Sequence, residues 1–127
     1  MRNVMSKILL IDDDKDILFQ MRFRLKKEGH TVTTLERGDD VIKVINETGP
    51  DLVITDIMMP GVTGGTVYEM IREAFGPGIP IIISSAMRMK LKNNTDHLLA
   101  YCPKPMDYEN LFKTVETLLG ASEADMD

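Results

Sequence analysis

The sequence predicts an α/β fold built on a five-stranded parallel sheet, because short apolar runs alternate with helical patterns along its 127 residues. Two observations predict the order of the strands. Runs one, three and four along the chain are continuously apolar, as strands buried on both faces are, whereas run two is half polar. The fifth contains Pro103, which a central strand excludes because proline has no backbone N–H to donate. Strands two and five therefore belong at the edges, and the order 2-1-3-4-5 satisfies both observations.

Each strand is predicted from a short apolar or β-branched run that ends in a turn or a polar residue. The runs are Ile8–Ile11, Thr31–Leu35, Leu52–Thr55, Ile79–Ser84 and Tyr101–Pro103. In the order 2-1-3-4-5, the chain reverses its winding between strands one and three, so a binding crevice is expected at the carboxyl ends of these two strands.

Five helices are predicted from apolar residues that recur every three or four positions. Four of them are regular: Asp14–Glu28, Asp39–Thr48, Gly64–Ala74, and a last helix that begins after the N-cap Asp107 and ends at Gly120. In the remaining segment, Met87–Leu99, apolar and basic residues alternate at the start, as they would in a strand. Its apolar residues also fit one face of a helix. The fourth helix is therefore expected to be atypical.

Composition indicates one soluble domain, residues 1–127, with a core of about 7–119 and an acidic tail at 121–127. The net charge of −5 argues against direct binding to nucleic acid. Apolar runs reach only about five residues, too few to span a membrane, and no secretory signal is visible. The single cysteine, Cys102, fits a reducing compartment and is expected to be a small edge-strand residue. A cytoplasmic location follows. His30 and His97 lack metal-ligand spacing and are expected at the surface.

Three acids follow two of the apolar runs. Asp12 and Asp13 come directly after strand one, and Asp56 after strand three. Neighbouring parallel strands would bring these carboxylates together at one edge of the sheet, where like charges raise each other's pKa. A hard cation such as Mg²⁺ suits oxygen ligands and would neutralise such a cluster. The pattern therefore indicates a magnesium site suited to phosphoryl chemistry.

Four segments together resemble the response-regulator receiver domain of two-component signalling, including its chemotaxis regulators. They are Ile8–Asp14, Pro50–Gly61, Pro80–Ala86 and Tyr101–Pro105, and they occur in the family's order, each at a strand end. The resemblance covers about Lys7 to Leu119 and implies a flavodoxin-like, doubly wound fold. It implies a phosphoacceptor protein in a phosphorelay rather than an enzyme with an external substrate.

The resemblance also implies roles for the acids. Asp56 would be the phosphoacceptor, since a carboxylate can act as a nucleophile and carry an acyl phosphate. Asp12, Asp13 and Asp56, with the main-chain carbonyl of Met58, would bind Mg²⁺. Asp14 is an alternative ligand, but it also fits the N-cap of the first helix.

Three residues of strands four and five would complete the site. Ser85 would be the switch hydroxyl, with Ser84 as its rival, and Lys104 would pair with the phosphoryl group. The family usually has a cis bond between this lysine and the next residue, here Pro105. Tyr101 would be an aromatic switch that turns inward when Ser85 moves; the alternative is a half-buried edge-strand tyrosine.

The resemblance implies that a sensor histidine kinase or a histidine phosphotransfer protein supplies the phosphoryl group. Two other functions stay open. One is a haloacid-dehalogenase-like phosphohydrolase, because Asp12-Asp-Asp14 fits that family's Asp-x-Asp pair, although Lys15 and Asp16 do not fit what should follow. The other is a receiver-like scaffold that never sees phosphate, against which the complete set of acids, serine and lysine argues.

Overall fold

A five-stranded parallel sheet in the order β2-β1-β3-β4-β5 organises the computed structural model, which describes residues 6–57, 61–85 and 96–125. The strands are β1 Lys7–Ile11, β2 Thr31–Leu35, β3 Leu52–Asp56, β4 Ile81–Ser85 and β5 Leu99–Pro103. Strand β3 and strand β4 are buried throughout, and β1 is buried from Ile8 onward, whereas the edge strands are half exposed. The predicted strand order and the placement of β2 and β5 at the edges are confirmed.

Four α-helices lie among the described residues, with a short 3₁₀ turn at Gly76–Gly78 after the third. They are α1 Lys15–Lys27, α2 Val41–Thr48, α3 Gly64–Phe75 and α4 Tyr108–Asp125. The predicted atypical helix at Met87–Leu99 falls mainly on residues 86–95, which lie outside the described residues. At its end, Leu99 already belongs to β5, so that strand begins two residues earlier than predicted.

The last helix does not end at Gly120, as the sequence predicted, but continues to Asp125. A glycine inside a helix costs only about 1 kcal/mol relative to alanine. The buried side chains of Leu118 and Leu119 hold the preceding turn against the sheet, and the residues that follow are compatible with a helix. A glycine thus ends a helix only when the backbone needs its left-handed conformation, as Gly49 does after α2 with φ of 59°.

Each face of the sheet carries its own apolar core, because successive strand residues point to opposite faces. Helices α1 and α4 cover one face, where they pack on Ile8, Leu10, Leu52, Ile54 and Ile82. Helices α2 and α3 cover the other face, where they pack on Leu9, Ile11, Val53, Ile81 and Ile83. With both faces covered, the carboxyl ends of the strands remain the accessible edge.

The prediction that His30 lies at the surface is wrong. The residue is only 5% exposed, and its Nε2 lies 3.9 Å from a carboxylate oxygen of Glu116 in α4. His30 lies in the turn between α1 and β2, and α4 covers this turn. The residues around His30 give no signal that a helix so distant in the sequence packs there. His97 is exposed, as predicted.

Candidate functional site

The predicted acids meet at the carboxyl edge of the sheet. Strands β1 and β3 are neighbours with Ile11 opposite Thr55, so the next residues, Asp12 and Asp56, lie side by side. One carboxylate oxygen from each of Asp12, Asp13 and Asp56 lies within 4.8 Å of the others. Asp12 and Asp56 are buried and Asp13 is exposed, so the cluster opens to solvent on one side.

Lys104 brings a positive charge to this cluster from the end of β5. Its Nζ donates to Asp12 Oδ2 at 2.8 Å and lies 3.5 Å from Asp56 Oδ1. The lysine backbone is fixed in turn, because its N–H donates to the carbonyl oxygen of Ser85 at 2.8 Å. The Lys104–Pro105 peptide bond is cis, as the resemblance implied. Lys104 therefore reaches over the end of β4 to the acids of β1 and β3.

Burial and mutual repulsion control the protonation of this site. Burial raises the pKa of Asp56, and the charge of Asp12 raises it further, while Lys104 and the N–H of Ile57 oppose both. Burial alone would lower the pKa of Lys104, but the hydrogen bond and charge of Asp12, with the charge of Asp56, outweigh it and raise that pKa. One ammonium thus compensates three carboxylates only in part, and the edge retains a net negative charge.

The two buried acids, Asp12 and Asp56, differ in how many of their carboxylate oxygens accept a hydrogen bond. Asp12 Oδ1 accepts the backbone N–H of Asp14 at 2.9 Å, and Asp12 Oδ2 accepts from Lys104. Asp56 Oδ1 accepts the N–H of Ile57 at 2.8 Å. Within the described ranges, no hydrogen bond reaches Asp56 Oδ2. The carboxylate of Asp56 is therefore held by one oxygen while the other stays available to a ligand or an electrophile.

Asp14, the alternative metal ligand, is engaged elsewhere. Its Oδ1 accepts the backbone N–H groups of Asp16 at 2.9 Å and Ile17 at 3.3 Å, which makes it the N-cap of α1. The Asp12-x-Asp14 pair that a phosphohydrolase would need is consequently not assembled, since Asp14 points to the helix rather than to the cluster.

The donor set of the cluster fits Mg²⁺. Three carboxylates offer hard oxygen ligands, one side is open to the waters that Mg²⁺ keeps, and the net charge is negative. The main-chain carbonyl of Met58, the predicted further ligand, lies outside the described residues. Asp12, Asp13 and Asp56 could therefore hold the ion, which would offset charge on a phosphoryl group beside them.

The two serines at the end of β4 point to opposite faces. Ser84 is the register partner of Asp56 and borders a small cavity, of about 10 Å³, that Asp12 and Asp56 also line. Ser85 is 1% exposed and lies opposite Pro103, on the face that carries α2 and α3. Both serines lie within reach of the acid edge by position, so the geometry alone leaves Ser84 as a rival.

Tyr101 lies on the same face of the sheet as Ser85. It is the register partner of Ile83, two residues before Ser85, and strand residues two apart share a face. The ring is half-buried and packs against the α2–α3 core. The structure thus places the two predicted switch residues on adjacent strands and one face, as a coupled movement would require.

Sequence reasoning missed a close approach behind the site. The N–H of Gly64, the first residue of α3, donates to the carbonyl oxygen of Ile57 at 2.9 Å. A Cβ at position 64 would lie 2.7 Å from the Cα of Ile57 and would also collide with the carbonyl oxygen of Asp56. Only glycine lets α3 start this close to the Asp56 backbone, and the Gly64-Gly65 pair was the available signal.

A second polar cluster, also missed, lies at the opposite end of the sheet. Asp96 Oδ2 accepts from Tyr68 Oη at 2.6 Å and from Arg72 Nε at 2.8 Å, while Asp96 Oδ1 accepts the N–H of Leu98 at 3.0 Å. Arg72 also donates to the carbonyl oxygen of Ile79 at 2.7 Å. The cluster joins α3 to the start of β5. No motif marks it, because its members are separated by up to 28 positions.

Comparison with known proteins agrees with this geometry. Residues 8–116 match the family described as the response regulator receiver domain. The protein PilH of Pseudomonas aeruginosa is 31% identical over 119 residues, which cover 91% of this chain and 98% of PilH. The regulator AfsQ1 of Streptomyces coelicolor is 38% identical over 82 residues, but the match spans only 36% of AfsQ1. The shared unit is thus the receiver domain and not the whole of a longer regulator.

Solved structures share the fold. The response regulator TrrA of Thermotoga maritima, crystallised with Mg²⁺ and BeF, superposes with a TM-score of 0.80 at 30% identity over 90% of this chain and 99% of TrrA. A receiver domain from Clostridium thermocellum gives 0.83 at 25% identity, over 94% of this chain and 98% of that domain. Among the described residues of this chain, no helix is long and apolar enough to span a membrane.

Proposed function

Because this chain belongs to the response regulator receiver domain family, we propose that Asp56 accepts a phosphoryl group from the phosphohistidine of a partner protein. The observation that carries the proposal is the carboxylate cluster at the sheet edge, within 4.8 Å, with Lys104 against it. Receivers of this family act as signalling modules rather than as enzymes with external substrates, so the chemistry would change the protein itself.

In the transfer, an oxygen of Asp56 forms a bond to phosphorus as the bond between phosphorus and the histidine nitrogen breaks. The released imidazole takes a proton from solvent, and the acyl phosphate keeps the negative charge. Asp56 Oδ2 is the favoured nucleophile, because Oδ1 is already held by the N–H of Ile57. Lys104 Nζ, which lies 3.5 Å from Asp56 Oδ1, would pair with the new phosphoryl oxygens.

Mg²⁺ would be held by Asp12, Asp13 and Asp56, and by the carbonyl oxygen of Met58. When bound, the ion offsets the charge that gathers on the phosphoryl group. Asp12 is held by Asp14 N–H and Lys104, so it presents an ordered carboxylate, whereas exposed Asp13 is free to approach the ion directly. Lys104 would then shift from Asp12 toward the phosphoryl group.

The switch would run through Ser85 and Tyr101. A dianionic group on Asp56 would attract the Ser85 hydroxyl, and that movement would open space for the Tyr101 ring on the same face of the sheet. The effect would reach the Met87–Leu99 segment first, because that segment joins the two strands. A phosphoryl mimic such as beryllofluoride should therefore change hydrogen exchange there more than in α1 or α2.

The phosphodonor would be a sensor histidine kinase or a histidine phosphotransfer protein, and the receiver would act in the cytoplasm, as the single cysteine suggests. Residues of about 7–119 would form the signalling domain. Hydrolysis of the acyl phosphate by water would end the signal without an added enzyme.

Intact-mass measurement after incubation with acetyl phosphate and Mg²⁺ tests the proposal. The expected result is a gain of one phosphoryl group that requires Mg²⁺ and is lost in Asp56→Asn. Asp51→Asn serves as the matched control, because Asp51 is an exposed acid whose carboxylate holds the N–H of Lys7 far from the cluster. Labelling that persists in Asp56→Asn, or turnover of an added phosphate ester, would reject the phosphoacceptor role.

A further inference from the structure

A groove between α1 and β2 lies beside the phosphoryl site and contains none of its acids. It has a volume of about 450 Å³. Its walls come from α1 and from the end of β2 with the residue that follows: Lys15, Leu18, Phe19 and Arg22 on the helix, and Thr34, Leu35 and Glu36 on the strand side. Phe19 is 70% exposed, the most exposed large apolar side chain among the described residues. An aromatic ring left in water beside a groove is a common anchor point for a protein partner.

The helix wall of this groove is basic in an acidic protein. Lys15, Phe19, Arg22 and Lys26 follow one another at helical spacing, so they form one stripe along α1. Lys15 pairs with Glu36 at 3.6 Å, whereas Arg22 lies within ion-pair distance of no carboxylate in the described part of the chain. The whole chain carries a charge of −5. A positive, partly apolar stripe on such a chain selects for acidic partners.

The other wall is the edge of the sheet. Strand β2 is terminal in the described sheet. Thr31 N–H donates to Ser6, and Leu35 C=O accepts from Asp12, so these alternate residues bond inward to the β1 side. The backbone groups of Val32 and Thr34 therefore point outward, because alternate residues of a parallel strand face opposite neighbours. Such an edge is a template for one more strand.

We propose that the α1–β2 groove binds an extended, acidic peptide segment of a partner protein, which adds a strand to the free edge of β2. An apolar side chain of that segment would pack on Phe19, on the face of the sheet that α1 covers, and a carboxylate would pair with Arg22. Main-chain hydrogen bonds to Val32 and Thr34 would supply much of the affinity, and the side-chain contacts the specificity. This surface does not include Asp56, and peptide binding there does not depend on the phosphoacceptor role.

Selection of random linear peptides on the immobilised full chain tests the proposal. We expect enriched sequences that alternate acidic and apolar residues, and amide shifts at Val32 and Thr34 when one is titrated. Phe19→Ala and Arg22→Glu should each weaken binding about tenfold. The matched control is Phe23→Ala, since Phe23 is also exposed, at 55%, but does not line this groove. Proline at alternate peptide positions should abolish binding, because it removes the strand's N–H donors.

Five results would overturn the proposal. Enriched peptides without acidic residues, or no enrichment, would reject the ligand class. Equal losses in Phe19→Ala and Phe23→Ala would show that the groove is not the site. Peptides that tolerate proline throughout would reject strand addition. Self-association of the protein alone that Phe19→Ala abolishes would assign the groove to a second copy of this chain instead.

Discussion

Two clusters of buried charge lie at opposite ends of the sheet, and they are built differently. At the carboxyl edge, three acids share one lysine, and the pKa of Asp56 is raised by burial and by Asp12. At the amino edge, Asp96 accepts hydrogen bonds from Arg72, Tyr68 and the backbone N–H of Leu98. Although burial alone would raise its pKa, those hydrogen bonds lower it. The first cluster has more acids than its single lysine can offset, whereas in the second one arginine faces one acid.

The difference separates a site that binds from a contact that holds the fold. In the Tyr68–Arg72–Asp96 cluster one arginine offsets the one acid, so this cluster joins α3 to β5 and leaves no excess negative charge for a cation. An under-compensated cluster is stable only at some cost, which a cation or a phosphoryl group with its Mg²⁺ can offset. Removing an acid should therefore have opposite effects on stability at the two ends.

The largest expected effect is at Asp56. Asp56→Asn should abolish phosphorylation by acetyl phosphate, while the free energy of unfolding of the metal-free protein holds or rises by about 1 kcal/mol, because repulsion with Asp12 is relieved. Mass measurement and denaturant titration check the two parts. A loss of several kcal/mol would show that Asp56 is a structural residue.

At the Asp96 cluster the sign of the effect on stability reverses. Asp96→Asn should lower the free energy of unfolding by about 3 kcal/mol, because Arg72 keeps its charge in a largely buried place without its partner. Asp39→Asn is the control, because Arg37 and Asp39 also form an arginine–aspartate ion pair, but their side chains are about half exposed. It should change stability by less than about 0.5 kcal/mol. Equal losses of unfolding free energy in the two variants would show that the Asp96 cluster contributes no more to stability than an exposed ion pair does.

Within the acid edge, neighbouring aspartates should separate metal binding from stability. Asp13→Ala should weaken Mg²⁺ binding about tenfold or more, as loss of a ligand does. Asp14→Ala should leave Mg²⁺ binding nearly unchanged but cost about 1 kcal/mol of stability, because Asp14 caps α1. Calorimetric Mg²⁺ titration and denaturant titration of both variants give the comparison. The opposite pattern would mean that Asp14 is the ligand.

The smallest effect is the dependence on pH. The folded pKa of Asp56 lies above its ordinary 3.8, so its charge destabilises the fold at neutral pH and the penalty fades as pH falls through that raised value. The folded pKa of Asp96 lies below 3.8, so its stabilisation is complete above 3.8 and is lost as pH falls below it. In metal-free denaturant titrations, the gain in Asp56→Asn should therefore shrink in mild acid, and the loss in Asp96→Asn only at lower pH.

The sequence predicted the acid edge because its members end successive strands. Pro103 and the polar second run gave the strand order, and that order brought Asp12 and Asp56 together without further information. The Asp96 cluster could not be predicted in this way. Its three side chains become neighbours only after α3 packs on the sheet, and an arginine on a helix is usually solvated.

Two errors have the same origin. His30 was expected at the surface because no metal-ligand spacing surrounds it, but α1 and α4 cover it. Gly120 was expected to end the last helix, but packing of the preceding leucines outweighs its weak propensity. In both cases tertiary contact overrides a local signal, which a single sequence does not report.

The single cysteine of this protein, Cys102, can be used to measure local opening of the fold, because its side chain is buried. Cys102 of β5 is fully buried under α4, and burial raises the pKa of its thiol, so a thiol reagent can react only when β5 or α4 opens. The rate of labelling under native conditions therefore measures how often the contact between β5 and α4 opens. We expect Asp96→Asn, which loosens the start of this strand, to accelerate labelling, and Asp56→Asn to leave it nearly unchanged. The reactivity of one sulfur atom would thus distinguish the contact that holds the strand from the site beside it.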